Sequence, residues 1–385
     1  MRNRLGPVTY SVDLRVRSGP AFVTFQGCGF TSDPYPLPEV PVDTSSIPDA
    51  RTLAAILSQY RTPSFGRSLT QLLTSAIPFA LVWIAALLAL RVGFWLTLLL
   101  AVLAAGFMLR LFMIQHDCGH GAFFRSQRLN DLVGGVLGVL TLVPYRYWRK
   151  THAIHHKTSG DLDYRTFGDI STLTVAEYRA LPPLKRIGYR LYRHPFVLLV
   201  IGPIWQFMLK HRLPLDLPWS WKREWTSVLL TNLGILALVV VAWQAVGLTN
   251  FLLVQLPISL IAGSMGVFLF YVQHQFEDTY WREHPEWDFH AAGLAGSSYL
   301  VLPKVLQWFT ANIGLHHIHH VNSRIPNYRL PECYAEQPVF RHVTRITLWD
   351  GIKTLRLGLW DQEAGKLVSF REARARRGLD ERVRA

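Results

Sequence analysis

The chain has 385 residues, half of them apolar, and carries a formal net charge of +14 with 15 histidines and three cysteines. Its apolar residues are bunched into long uncharged runs, which excludes an ordinary soluble domain, and Cys28, Cys118 and Cys333 show no paired spacing, which argues against a disulfide framework. The basic excess flanks those runs and fills the C-terminal stretch without aromatic interleaving, so nucleic acid is not expected as a partner and a positive face against anionic lipid is.

Taken in order, residues 1–45 are polar to mixed, with the Pro-rich string Asp33-Pro-Tyr-Pro-Leu-Pro38, and read as a loosely structured arm. The first apolar run starts near residue 70, too late for a cleavable signal peptide, so none is expected. From Ile47 to Tyr60 the apolar spacing (Leu53, Ile56, Leu57, Tyr60) predicts a surface helix with Ser45 or Ser46 as N-cap. Ser68–Leu90 and Val92–Leu109 contain no charge, and Thr226–Gln273 runs for 48 residues without a charge or a histidine. A bilayer core needs roughly 20 apolar residues per helix. Four spans follow, at about 71–90, 93–114, 226–246 and 251–272, paired in two tight hairpins. Arg110 lies one turn inside the second span and is expected to snorkel outward.

Two shorter apolar stretches, Leu129–Val143 and Pro195–Leu209, are interrupted by Gly134, Gly135 and Gly138 and by Gly202-Pro203. Their length fits interfacial helices rather than spans. Between them, Thr174-Val-Ala-Glu177 is a capping-box pattern that opens an amphipathic helix with Lys185, Arg186, Arg190 and Arg193 beyond it. The expected fold is an all-α polytopic membrane protein. A cytoplasmic cap from 115–225 and 273–335 completes a domain at 46–335, and a basic tail follows at 336–385. The hairpin turns hold only Arg91, so the positive-inside rule places the cap and both termini in the cytoplasm, in a bacterial inner membrane.

Three histidine strings lie outside the apolar runs: His116-Asp-Cys-Gly-His120, His152-Ala-Ile-His155-His156 and His316-His317-Ile-His319-His320. Spacings of i, i+3 and i+4 put imidazoles on one helix face. Neutral imidazole is the commonest protein metal ligand near neutral pH. The strings belong together only if all of them reach one side of the membrane, and the four-span topology does that. The candidate ligands are His116, His120, His152, His155, His156, His316, His319 and His320, with His274 added because it emerges from the end of the last span as His116 does from the second. His317 falls off the common face of its string and is set aside, and Cys118, at i+2, points away and reads as a small buried filler. Any single string could be a hydrogen-bonded patch; three on one side point to two metals with open coordination positions. A metal transporter would want ionisable groups at mid-membrane depth, and the last two spans have none.

The order HDCGH, HAIHH, HHIHH resembles the H-x3-H, H-x2-HH, H-x2-HH pattern of the integral-membrane fatty acid desaturases. The flanking His155-His-Lys-Thr-Ser-Gly-Asp161, Tyr271-Val-Gln-His274 and Ser323-Arg-Ile-Pro326-Asn-Tyr328 are similar to bacterial delta-12 or omega-6 acyl desaturases. The likeness covers roughly residues 50–335. It implies two iron ions held by the eight box histidines, which are then the catalytic set, with His274 as a further ligand. It also implies O2 as co-substrate, a lipid acyl chain as substrate, and electrons from a separate ferredoxin or cytochrome b5. Some members place an Asn one turn before the extra histidine, where this chain has Phe270. Regiochemistry then becomes a positioning problem, and an apolar tunnel lined by Trp308, Phe309, Phe268 or Tyr145 is expected. Asp117, Asp161, Asp163 and Glu277 are candidates to orient the imidazoles. A hydroxylase or ketolase acting on a lipid, alkane or carotenoid through a similar centre is the competing expectation.

Overall fold

The computed structural model describes residues 48–165 and 168–383, with residues 377–383 given by backbone alone; the expected N-terminal arm lies outside these residues. Helix α1 (Ala50–Ser58) lays Leu53 and Leu57 into the interior, and Tyr60 follows them just beyond its end. Its cap is Asp49, not Ser45 or Ser46: the carboxylate accepts from Arg51 N at 2.9 Å and Thr52 N at 3.0 Å.

Among the described residues, four helices are long and apolar enough to cross a membrane: α2 (Phe65–Ala89), α3 (Phe94–Gly119), then, after the cap, α8 (Lys222–Val246) and α9 (Leu248–His274). Each overruns its predicted span by several residues at one or both ends. For α3 and α9 the extra turns carry the chemistry, because they bring His116 and His274 onto the helices themselves. The inner pair, α3 and α9, pack through small side chains (Ala101, Ala104, Ala105, Ala262) with Val254 and Ile258 between them. Lipid-like surroundings offer no hydrophobic drive between helices, so close backbone approach is what holds them. The outer helices α2 and α8 expose Leu73, Leu81, Leu230 and Leu236 instead.

Between the two pairs the chain builds α4 (Gln127–Leu140), α5 (Tyr145–Thr158), strand β1 (Leu173–Thr174), α6 (Val175–Ala180) and α7 (Pro183–Tyr192). With 14 residues at about 1.5 Å each, α4 is roughly 21 Å long, short of the roughly 30 Å hydrocarbon core. The second short apolar stretch is one helix in which two π-helical stretches, Val197–Ile201 and Ile204–Lys210, run on through Gly202-Pro203 without a break. The predicted capping box is present on α6, where Thr174 and Glu177 cap each other's backbone. Arg110 does not snorkel. It is buried, its Nε donates to Ser75 Oγ at 3.1 Å, and its guanidinium lies 3.9 Å from the Trp308 ring centre.

After α9 come α10 (Phe289–Ala295), β2 (Tyr299–Val301), α11 (Lys304–Phe309), α12 (His316–Val321), α13 (Leu330–Glu336), β3 (Arg345–Thr347), α14 (Leu348–Thr354), β4 (Leu357–Asp361), β5 (Lys366–Ser369) and α15 (Phe370–Val383). The expectation of a basic tail from 336 is corrected here as far as Ser369. Phe340 packs with Leu57 and Tyr60, and Trp360 and Leu367 are buried with Leu162 and Trp281. β4 pairs in parallel with β1 and antiparallel with β5, while β2 pairs in parallel with β3. These strands have two to five residues, and apart from the β4–β5 hairpin they join segments far apart in sequence, so they are too short for a clear alternation to announce them. The fold is otherwise helical.

Candidate metal centre

Four helices deliver the imidazoles. α3 carries His116 in its last turn with His120 as its C-cap, α5 carries His152, His155 and His156, α9 ends in His274, and α12 consists of little besides the third string. The nitrogens converge in two groups. His116, His120, His152, His156 and His319 form one, and His155, His274, His316 and His320 form the other, with the ligand atoms of each within 4.8 Å of one another.

The spacings fit a metal site, although hydrogen bonds span the same range, and the unpartnered nitrogens tell the two apart. Nε2 of His152 lies 3.2 Å from that of His116 and 3.1 Å from that of His156, which lies 3.1 Å from that of His319. In the second group His316 and His274 approach at 2.9 Å through the same atoms. Two donors about 2.0–2.1 Å from one ion, 90–110° apart, stand about 2.8–3.4 Å from each other. The buried Nε2 atoms of His120, His155 and His320 find no hydrogen-bond partner. A buried polar atom without a partner is costly, and one ion in each group would answer that cost, for His120 in the first and for His155 and His320 in the second.

Partners on the far side of the rings fix which nitrogen faces inward. His116 Nδ1 donates to Asp117 Oδ1 at 3.1 Å, His155 Nδ1 to Asp169 Oδ1 at 2.5 Å, and His274 Nδ1 to the Gly296 carbonyl at 3.0 Å. Each leaves the Nε2 lone pair for a metal. Asp117 is held in turn, since its Oδ2 accepts from both the backbone and side-chain nitrogens of Asn327 at 2.8 Å. Burial, followed by the neighbouring imidazoles, pushes His120, His152, His156, His316, His319 and His320 well below the ordinary 6.5. They are therefore neutral, as ligation requires. Five imidazoles around one point exceed the four of a closed structural zinc site, and an all-imidazole donor set suits iron, copper, nickel or zinc.

The remaining expectations sort by position. His317 stands outside both groups, with Nε2 donating to the Phe340 carbonyl at 3.1 Å. Among the carboxylates considered from the sequence, only Asp117 meets one of these imidazoles. Asp161 accepts from His284, Asp163 from the His284 backbone, and Glu277 pairs with Lys366. Asp169 was missed; nothing in the sequence separates it from Asp161 and Asp163, because only the fold of 168–173 lays it on α5. Cys118 is buried among Leu111, Ile114 and Phe123, as a filler would be.

An apolar cavity of about 360 Å³ opens beside the histidines. Its inner wall includes His116 and His152 from one group and His316 from the other, with Phe112, Trp148 and Phe270 around them. None of Trp308, Phe309, Phe268 and Tyr145 lines it, which corrects the expectation. Trp308 stacks on Arg110, Phe309 packs across Gly106, Phe268 faces Gly351, and Tyr145 donates to the Cys118 carbonyl at 2.8 Å. Phe270, one turn before His274, offers no ligand atom and instead sets its ring 5.0 Å from that of His155.

Helical membrane spans that end in two converging sets of buried imidazoles beside an apolar cavity define the class: a polytopic membrane protein with two histidine groups able to hold metal ions. A profile of the fatty acid desaturase family matches residues 93–347. A fatty acid desaturase of Bacillus subtilis (strain 168) is 44% identical over 321 residues, covering 83% of this chain and 91% of the relative. More distant are an sn-1 acyl-lipid omega-3 desaturase (ferredoxin) of Nostoc, 26% identical over 63% of this chain and 68% of its own length, and an sn-1 oleoyl-lipid 12-desaturase of Synechocystis, 26% identical over 57% and 62%. The chain belongs to the fatty acid desaturase family and is an oxidoreductase.

Proposed function

We propose that the protein is an O2-dependent di-iron acyl desaturase that introduces a cis double bond into a lipid acyl chain, of the delta-12 or omega-6 kind. The observation that carries this reading is the cavity, whose inner wall is shared by ligands of both histidine groups. An acyl chain seated there lies beside both metals at once. The ligands are His116, His120, His152, His156 and His319 for one iron and His155, His274, His316 and His320 for the other. Iron bound at these sites supplies the O2 activation needed to take hydrogen from an unactivated methylene.

The residues do the rest. Asp117, Asp169 and the Gly296 carbonyl hold three imidazoles with Nε2 inward. Trp148, stacked on His152 at 4.4 Å, and Phe112 and Phe270 keep water away and confine the chain, so that one bond is presented repeatedly. Two hydrogens from the acyl chain supply two of the four electrons that take O2 to water. A separate donor must supply the other two, and a ferredoxin or a cytochrome b5 is chemically suited. The names of the Nostoc and Synechocystis relatives support a lipid-borne substrate and, for the first, a ferredoxin.

The domain at 46–335, extended by the packed segment to Ser369, sits in a bacterial inner membrane with its cap and both termini in the cytoplasm. The short turns α2–α3 and α8–α9 carry only Arg91, while the other basic residues among those described lie toward the cap, which supports that orientation. The test is expression in a host without polyunsaturated lipids, with iron and a competent donor, followed by fatty-acid profiling. A new double bond that vanishes in His155→Ala is expected. A hydroxylated product, or an unchanged profile, overturns the desaturase reading.

A further inference from the structure

Arg193, the C-cap of α7, is 2% exposed, yet among the described residues no carboxylate pairs with it. Its two Nη groups donate to neutral oxygens from three separate parts of the chain, while Nε finds no partner. Nη1 donates to the Ser171 carbonyl at 3.2 Å and to Thr172 Oγ1 at 3.4 Å. Nη2 donates to Gln275 Oε1 at 2.8 Å, to Tyr271 OH at 3.2 Å and to the Leu357 carbonyl of β4 at 2.9 Å. Burying a cation without a counter-charge is expensive. A planar fork reaching five acceptors is what makes it tolerable, and a lysine could not reproduce it.

The acceptors are not scattered. Tyr271 and Gln275 bracket His274 in the last turn of α9, and Gln275 Oε1 also receives Thr172 Oγ1 at 3.2 Å. Ser171 and Thr172 lie two and three residues after Asp169, which holds His155. The neighbouring tyrosines of α7 reinforce the second grip: Tyr192 OH accepts from Ser171 N at 3.0 Å, and Tyr189 OH accepts from Leu173 N at 3.0 Å. Gly168, at φ +84°, lies against the His155 Cβ and the Thr151 carbonyl, so the segment has no slack above α5. Both threads lead to the four-histidine group. Its other two members, His316 and His320, come from α12, and the five-histidine group is reached by neither thread.

We infer that Arg193 is a positioning residue for the four-histidine site, clamping the His274 end of α9 to the Asp169 segment that orients His155. This rests on the double metal site proposed above. Losing partners that orient ligands typically weakens metal binding about 10–100-fold, and here the loss falls on one ion only.

The experiment loads full-length detergent-purified wild type and Arg193→Gln with Fe(II) alone, without oxygen. It then measures iron per chain against a graded chelator, with Mössbauer spectra of both. Wild type is expected to hold two ions, and the variant to release one of them at about 10–100-fold lower chelator while keeping the other with its spectrum unchanged. Retention of both ions, or parallel loss of both from a folded chain, overturns the clamp. A wild type that binds no second ion overturns the double-site reading itself, and the clamp falls with it. If Arg193→Gln is not recovered folded, Arg193→Lys, which keeps the charge without the fork, is scored the same way. Failure of both to fold assigns Arg193 to the fold rather than to the metal site, which also overturns the inference.

Discussion

Filling the cavity from its α9 wall tests whether it holds the acyl chain. Gly266 lines the cavity, and a Cβ built there meets only Leu109 Cδ1, at 3.9 Å. Alanine therefore fits without moving a neighbour, and mid-helix it is favoured over glycine by roughly 0.8–1.0 kcal/mol. Leucine adds three carbons beyond Cβ, which enter the 360 Å³ space and displace about three methylenes of substrate. At roughly 0.8 kcal/mol per buried methylene, the full-length chain loses about 2.4 kcal/mol, or roughly 50-fold in kcat/KM. Acyl chains about three carbons shorter should lose far less. The assay is gas chromatography of products from lipids of graded chain length, for wild type, Gly266→Ala and Gly266→Leu. The alanine variant should track wild type while the leucine variant shifts to shorter chains. A leucine variant that desaturates the same lengths at the wild-type rate refutes the assignment of the cavity.

Asp169→Asn keeps the shape beside His155 but replaces a charge-assisted hydrogen bond with a neutral one, while Asp169→Ala leaves a buried Nδ1–H unpaired. Chelator titration should rank iron retention as wild type, Asn, Ala, spread over about 10–100-fold. His317→Gln should keep both ions and cost about 1 kcal/mol for the bond to the Phe340 carbonyl, read as a lower Tm at unchanged metal content. His211 gives a pH signature. Burial first, then the nearby Arg212, push it down to about 3 from 6.5. Below 6.5 the unfolded chain therefore binds a proton that the folded chain refuses, and stability falls with pH by about 1.4 kcal/mol per unit until about 3. Denaturation midpoints measured at several pH values should show that slope lessened in His211→Gln, and an unchanged slope would count against it.

Much of the site was legible because its chemistry is local. Spacings of i, i+3 and i+4 on α3 and α5 place imidazoles on one face before any tertiary contact forms, and a histidine at the end of an apolar run must emerge with the helix. His317 could be set aside for the same reason, as it points off that face and meets Phe340 instead. What stayed hidden is non-local. Asp169 is one of several aspartates after the second string, and only the 168–173 segment folding onto α5 singles it out. The cavity aromatics were misjudged because Trp308 and Phe268 sit near the right helix ends but face Arg110 and Gly351.

By itself the sequence determined the class of protein, the four spans and the histidines that gather in the two groups, since hydropathy runs and helical periodicity are properties of neighbouring residues. The division of nine histidines into sets of five and four is a different matter. The second string is split, His155 to one group and its neighbours to the other, and so is the third, with His319 apart from His316 and His320. The i, i+4 pairs His116/His120, His152/His156 and His316/His320 each stay together, but spacing alone does not say which pairs share a group or that His155 and His319 change sides. Only the crossing of α3, α5, α9 and α12 at one level decided it, along with the return of the chain through β4 and Arg193 that fixes two of those helices together.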